Sequence, residues 1–107
     1  MNTCNSLDEV RKNIDRIDNE IVKLIAERSY YVGEASKFKK DTNDVKAPKR
    51  VEAVVQKVRS IAEKNNLNPD IIEKVYRNMI DAFINMELSC FNEMNSENST
   101  DMSGGLT

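Results

Sequence analysis

Two cations stand where apolar side chains are expected. Placed on a helix at about 100° per residue, Arg28 and Lys39 project near the centre of a stripe that also holds Ile21, Ile25 and Val32. Three helical turns, about 16 Å, would separate them, and each side chain is long enough to reach inward toward a shared space. One long basic side chain can lie along apolar surface and carry its head to solvent. Two on one line call for a charged partner, because an unmatched buried charge costs several kcal/mol. That partner is either a protein carboxylate or a bound anion, and a small dianion fits between two such heads. Arg11 and Asp18 project to the edge of the same stripe, where a partner helix would pass. Nearer the C-terminus, Glu87 falls on the face of Tyr76, Ile80, Phe83 and Ile84, while Arg50 flanks a valine face. Taken singly, an edge Arg or Asp is ordinarily a surface ion pair, and Glu87 is either an end-of-helix residue reaching solvent or the counterpart of the buried cations. Taken together they describe a basic cavity with one carboxylate. The chain has no His, no nucleophile–base pair and no Gly-rich phosphate loop. Chemistry in such a cavity is positional and electrostatic, with no metal and no cofactor.

The elements that must hold these residues are all helical. Ser6-Leu7-Asp8-Glu9 fits a capping box. Apolar residues then recur at Leu7, Val10, Ile14, Ile17, Ile21 and Leu24, and on through Val32 and Ala35 to Phe38. The pattern predicts one helix to about Lys40, roughly 50 Å long, with a stripe that one small chain cannot cover. Asp41-Thr42-Asn43-Asp44 reads as a polar breaker, and Pro48 as the first turn of a second helix. Val51, Val54, Val55, Val58, Ile61 and Ala62 give that helix its apolar face, and Lys64-Asn65-Asn66 closes it. Valine favours strands by propensity, but this spacing is helical. Asn68-Pro69-Asp70 starts a third helix, which carries Ile72, Val75, Tyr76, Met79, Ile80, Phe83, Ile84 and Cys90. From Asn92 onward Asn, Ser, Thr and Gly dominate and Lys and Arg are absent, which predicts a disordered polar tail over 92–107.

Composition limits the function classes. Sixteen Lys and Arg against eighteen Asp and Glu in 107 residues leave a net charge of −2, without the basic excess of a nucleic-acid or membrane-surface protein. Only three Gly and two Pro, and no period-two alternation, argue against a β fold. No run of 18 apolar residues and no charged-then-apolar leader occurs, so the expectation is a cytoplasmic protein. Cys4 and Cys90 lie far apart without CxxC spacing and read as reduced thiols. With no Trp and few aromatics the core is aliphatic, and the length of the first helix points to a homodimer.

The ordered set of Arg11, Ile14-Asp15-Arg16-Ile17-Asp18, Glu27-Arg28, Ala35-Ser36-Lys37-Phe38-Lys39, Ala47-Pro48-Lys49-Arg50-Val51, Tyr76-Arg77, Met79-Ile80 and Glu87 resembles the all-helical chorismate mutases. The likeness covers about residues 6–91. It implies an intertwined homodimer with one long and two shorter helices per chain, acting on a cyclohexadiene dicarboxylate that bears an enolpyruvyl ether. By this resemblance Arg28, with Arg11 from the other protomer, would hold the two carboxylates. Lys39 would meet the ether oxygen and a carboxylate, Arg50 would help close the site, and Val32, Val51 and Ile84 would supply apolar lining.

Within the family, Lys37-Phe38-Lys39 followed by a short loop and Ala47-Pro48 with Arg50-Val51 is similar to the isochorismate-pyruvate lyase branch. Mutases commonly carry an acid directly after the helix-two Arg, where this chain has Val51, with Glu52 one residue out of phase. Ala47 takes the place of a frequent loop Asp. Glu87 stands where the lyase has Gln and other mutases have Glu, which favours the mutase. The resulting expectation is conversion of chorismate to prephenate in phenylalanine and tyrosine synthesis, with Lys39 and a protonated Glu87 stabilising charge on the ether oxygen. Alternatives are the lyase, a mutase of 4-amino-4-deoxychorismate, and a noncatalytic helical dimer that binds an anionic metabolite.

Overall fold

The computed structural model describes residues 3–95, and regular structure among them is entirely helical. There are three long helices, α1 (Leu7–Ser36), α3 (Pro48–Lys64) and α4 (Pro69–Asn95), with one short helix, α2 (Thr42–Lys46), between α1 and α3 in the chain. The chain divides into two units, Met1–Ala35 and Ser36–Thr107. No helix among the described residues is long and apolar enough to cross a membrane.

The first unit is in essence α1. Ser6 Oγ accepts the Glu9 amide at 3.1 Å, so the serine half of the capping box is formed. Asp8 and Glu9 occupy the first turn, where the helix dipole favours acids. No residue of α1 is buried. Along its apolar stripe Ile14, Ile17 and Ile21 are each about half exposed.

The second unit holds the core. α3 and α4 run antiparallel as a hairpin, since Glu52 pairs with Arg77 and Arg59 with Asp70 and Glu73. Val54, Val58 and Ile80 form the buried cluster, and Val51, Ile72, Tyr76 and Ile84 pack around it. The valine face therefore meets α4 at the helical spacing, and Val55 is fully buried. Asn68 Oδ1 accepts the Asp70 amide at 2.9 Å, which caps α4 as its sequence predicts. α3 ends with Asn66 in the left-handed region (φ 58°), and the Leu67 amide donates to the Ala62 carbonyl.

Two expectations need correction. The first helix stops at Ser36, not near Lys40, so Lys39 is on a loop and its three-turn alignment with Arg28 does not exist. The polar run read as a plain breaker instead builds α2, with Asp41 as its N-cap. Both follow from the same chemistry. Asp41 and Asp44 offer their carboxylates to nearby backbone amides, and this local bonding competes with continuation of the long helix. At the other end, α4 continues to Asn95, into the stretch read as tail. Residues 96–107 of that stretch lie outside the described residues.

Candidate active site

The second unit brings one predicted pair of site residues together. Lys39 Nζ lies 3.3 Å from Glu87 Oε1 and 3.1 Å from Glu87 Oε2. Their side chains are only 20% and 14% exposed, so the pair is partly withdrawn from water. Charges in such surroundings interact more strongly than on an open surface. The two residues are 48 positions apart in sequence. Glu87 arrives about five turns into a helix fixed to the core through Ile80 and Ile84. Lys39 arrives on the loop that α2 terminates.

That loop is heavily bonded for its length. The Lys39 amide donates to the Ser36 carbonyl at 3.2 Å, and the Lys40 amide donates to Asp44 Oδ2 at 2.9 Å. Asp44 in turn donates its own amide to Asp41 Oδ1 at 2.9 Å. Val45 is the buried residue of α2, which packs on α4. Ala47 closes α2 and opens α3 in the left-handed region, at φ 40° and ψ 59°. A residue with a Cβ holds that conformation at a cost of about 1–2 kcal/mol. The turn is thus imposed by its surroundings.

The remaining predicted residues of this unit lie on α3 and α4. Arg50 is exposed in the first turn of α3. Val51 and Ile84 are half-buried and pack against the Val54, Val58 and Ile80 cluster. Arg11, Arg28 and Val32 belong to α1, in the other unit. Arg11 is exposed, whereas Arg28 and Val32 are half-buried.

Glu52, the acid one residue out of phase, is committed elsewhere. Arg77 grips it with both terminal guanidinium nitrogens, each contact 2.9 Å. The same Arg77 donates from Nε to Glu73 at 2.7 Å, and Arg59 bridges Glu73 and Asp70 at 2.7 and 2.9 Å. The Arg77 hydrogen bonds hold the Glu52 and Glu73 carboxyls below their ordinary value of 4.5, with Arg59 adding to the effect at Glu73. The sequence reading did not single out this network. Opposite charges at Glu73 and Arg77, four residues apart on one helix, were the available signal.

Among known proteins, the family model described as chorismate mutase type II matches residues 10–88. An isochorismate pyruvate lyase of Pseudomonas aeruginosa is 36% identical over 81 residues, covering 76% of this chain and 80% of that protein. A chorismate mutase of Methanocaldococcus jannaschii is 32% identical over 76 residues, covering 70% of this chain and 77% of its own. The T-protein of Haemophilus influenzae is 32% identical over 99 residues, 91% of this chain but only 26% of that protein.

Proposed function

Since the chain belongs to the chorismate mutase type II family, we propose that it is a homodimeric chorismate mutase that converts chorismate to prephenate for phenylalanine and tyrosine synthesis. The observation that carries this reading is the partly buried Lys39–Glu87 pair. In the rearrangement the ether C–O bond breaks while a C–C bond forms between the enolpyruvyl methylene and the ring, and the ether oxygen gains negative charge. An ammonium has three N–H donors, so Lys39 can meet a carboxylate and that oxygen together. Glu87 accepts from Lys39 and so holds the ammonium in place, and Lys39 stabilises the oxygen as charge develops. Arg28 and an Arg11 supplied by a second copy hold the substrate's carboxylates, and Arg50 helps close the site. Holding the compact diaxial conformer contributes by position alone. The exposed apolar stripe of α1 supports the homodimer, because a second copy would cover it.

A second reading, isochorismate-pyruvate lyase, is favoured by one specific observation. Val51 packs into the core and Glu52 is taken up by Arg77, which leaves the start of α3 without an acid for a ring hydroxyl. Purified protein given chorismate and isochorismate separately distinguishes the two. Prephenate from chorismate is the expected product. Salicylate with pyruvate from isochorismate would replace this reading with the lyase. Turnover of neither, with retained anion binding, would replace it with a metabolite-binding dimer.

A further inference from the structure

Lys39 sits on a loop, and a loop lysine with four rotatable side-chain bonds is a poor instrument unless its backbone is fixed. Here both flanking peptide groups are tied. The amide of Lys39 donates to Ser36, and the next amide, that of Lys40, donates to Asp44 Oδ2 at 2.9 Å. The second bond matters more for direction. The Lys39–Lys40 peptide plane sets ψ at Lys39, and with the first bond it sets the line along which the side chain leaves the backbone. Asp44 is itself held, through its amide to Asp41 Oδ1 and through α2, whose Val45 is 3% exposed. The Ala47 amide then donates to the Asn43 carbonyl at 2.8 Å and completes the bracket.

We propose that Asp44 is a positioning residue for Lys39. Its carboxylate accepts the Lys40 amide hydrogen and so aims the Lys39 ammonium at Glu87. The catalytic consequence rests on the functional reading above, while the structural one does not. What Asp44 supplies is an acceptor at a fixed distance rather than a charge. Asp44→Asn keeps a carbonyl oxygen at the same place, whereas Asp44→Glu keeps the charge and moves the oxygens out by one methylene. Asp44→Ala removes both.

The test pairs turnover with a contact measurement that needs no substrate. In unliganded protein, nuclear Overhauser contacts between the Lys39 ε-methylene and the Glu87 γ-methylene are expected in the wild type and in Asp44→Asn. They are expected to be lost in Asp44→Glu and Asp44→Ala, with helical circular dichroism unchanged. A misaimed catalytic group costs up to about 100-fold, so Asp44→Ala and Asp44→Glu should lower kcat by 10- to 100-fold, and Asp44→Asn by less than about threefold. In a Lys39→Ala background the same Asp44 changes should cost less than about twofold, because the residue they aim is gone. Contacts that survive in Asp44→Glu and Asp44→Ala overturn the proposal. So does Asp44→Glu behaving like wild type while Asp44→Asn behaves like Ala, or an undiminished loss in the Lys39→Ala background. If Asp44→Ala does not fold, the Asn and Glu variants decide between these outcomes. If the wild type turns over neither substrate, the functional reading fails, and the contacts alone still decide whether Asp44 aims Lys39.

Discussion

At the scale of the residue, Lys39 and Glu87 depend on each other before any substrate is present. Lys39→Ala is expected to lower kcat/KM by about 100-fold or more, the usual loss when a group that stabilises a developing oxyanion is removed. It also leaves the Glu87 carboxylate partly buried without its cation, which costs about 1–3 kcal/mol. Adding Glu87→Gln to Lys39→Ala should recover stability without recovering activity, and thermal melts run beside turnover assays separate the two effects. If Lys39→Ala melts no lower than wild type, the ion pair is not stabilising. Glu87→Gln alone keeps a carbonyl acceptor for the Lys39 ammonium but removes the opposite charge, so it should lower kcat/KM by less than Lys39→Ala does, and turnover assays on the two variants check this. An equal or larger loss in Glu87→Gln would mean that Glu87 does more than hold Lys39. Sequence position marked both residues as charges on apolar faces and offered Glu87 as a counterpart of the buried cations, but not which cation it meets or how. That required the path of residues 37–47, which is decided by Asp41 and Asp44 bonding to nearby amides.

At the scale of the element, the α3–α4 hairpin is joined on one side by aliphatic packing and on another by the chain Glu52, Arg77, Glu73, Arg59 and Asp70. Glu52 and Glu73 titrate lower when folded than when unfolded, so their contribution is fully present above the unfolded value near 4.5 and is lost as pH falls through the lower folded values. Arg77→Met should therefore lower Tm at pH 7 by a small amount and by less at pH 3. The effect at pH 7 should shrink in high salt, because these groups are solvent-accessible. Equal losses at both pH values would mean that Arg77 acts by packing. The two helices of the hairpin were legible in the sequence, since Pro48 and Asn68-Pro69 mark the starts of α3 and α4 and the valine spacing marks an apolar face, but that this face meets α4 was not. The end of α1 was not legible. Phe38 continues the apolar spacing past Ser36, yet it is 81% exposed, because periodicity records which positions could share a face and not whether the backbone continues to supply one.

At the scale of the whole molecule, the open question for the proposed homodimer is what covers α1. Light scattering on the eluting protein should give twice the mass of one chain at micromolar concentration, and Ile17→Asp, placed in the middle of the stripe, should shift the mass toward one chain with loss of activity. A helical, active monomer would overturn the dimer and the cross-subunit role of Arg11. α1 buries none of its thirty residues, and this bears on how the protein reaches its native state as well as on what it binds. The α3–α4 hairpin closes over a short connection and carries its own core, so it can form within one chain on the fast timescale of local contacts. α1 has only its intrinsic helicity until something meets its stripe, and intrinsic helicity alone is marginal in water. With a second copy as that surface, refolding from denaturant should show two phases. The first would be independent of protein concentration, and the second would accelerate in proportion to it, as a collision between chains must. Full-length α1 helicity and enzymatic activity should both return in the second phase.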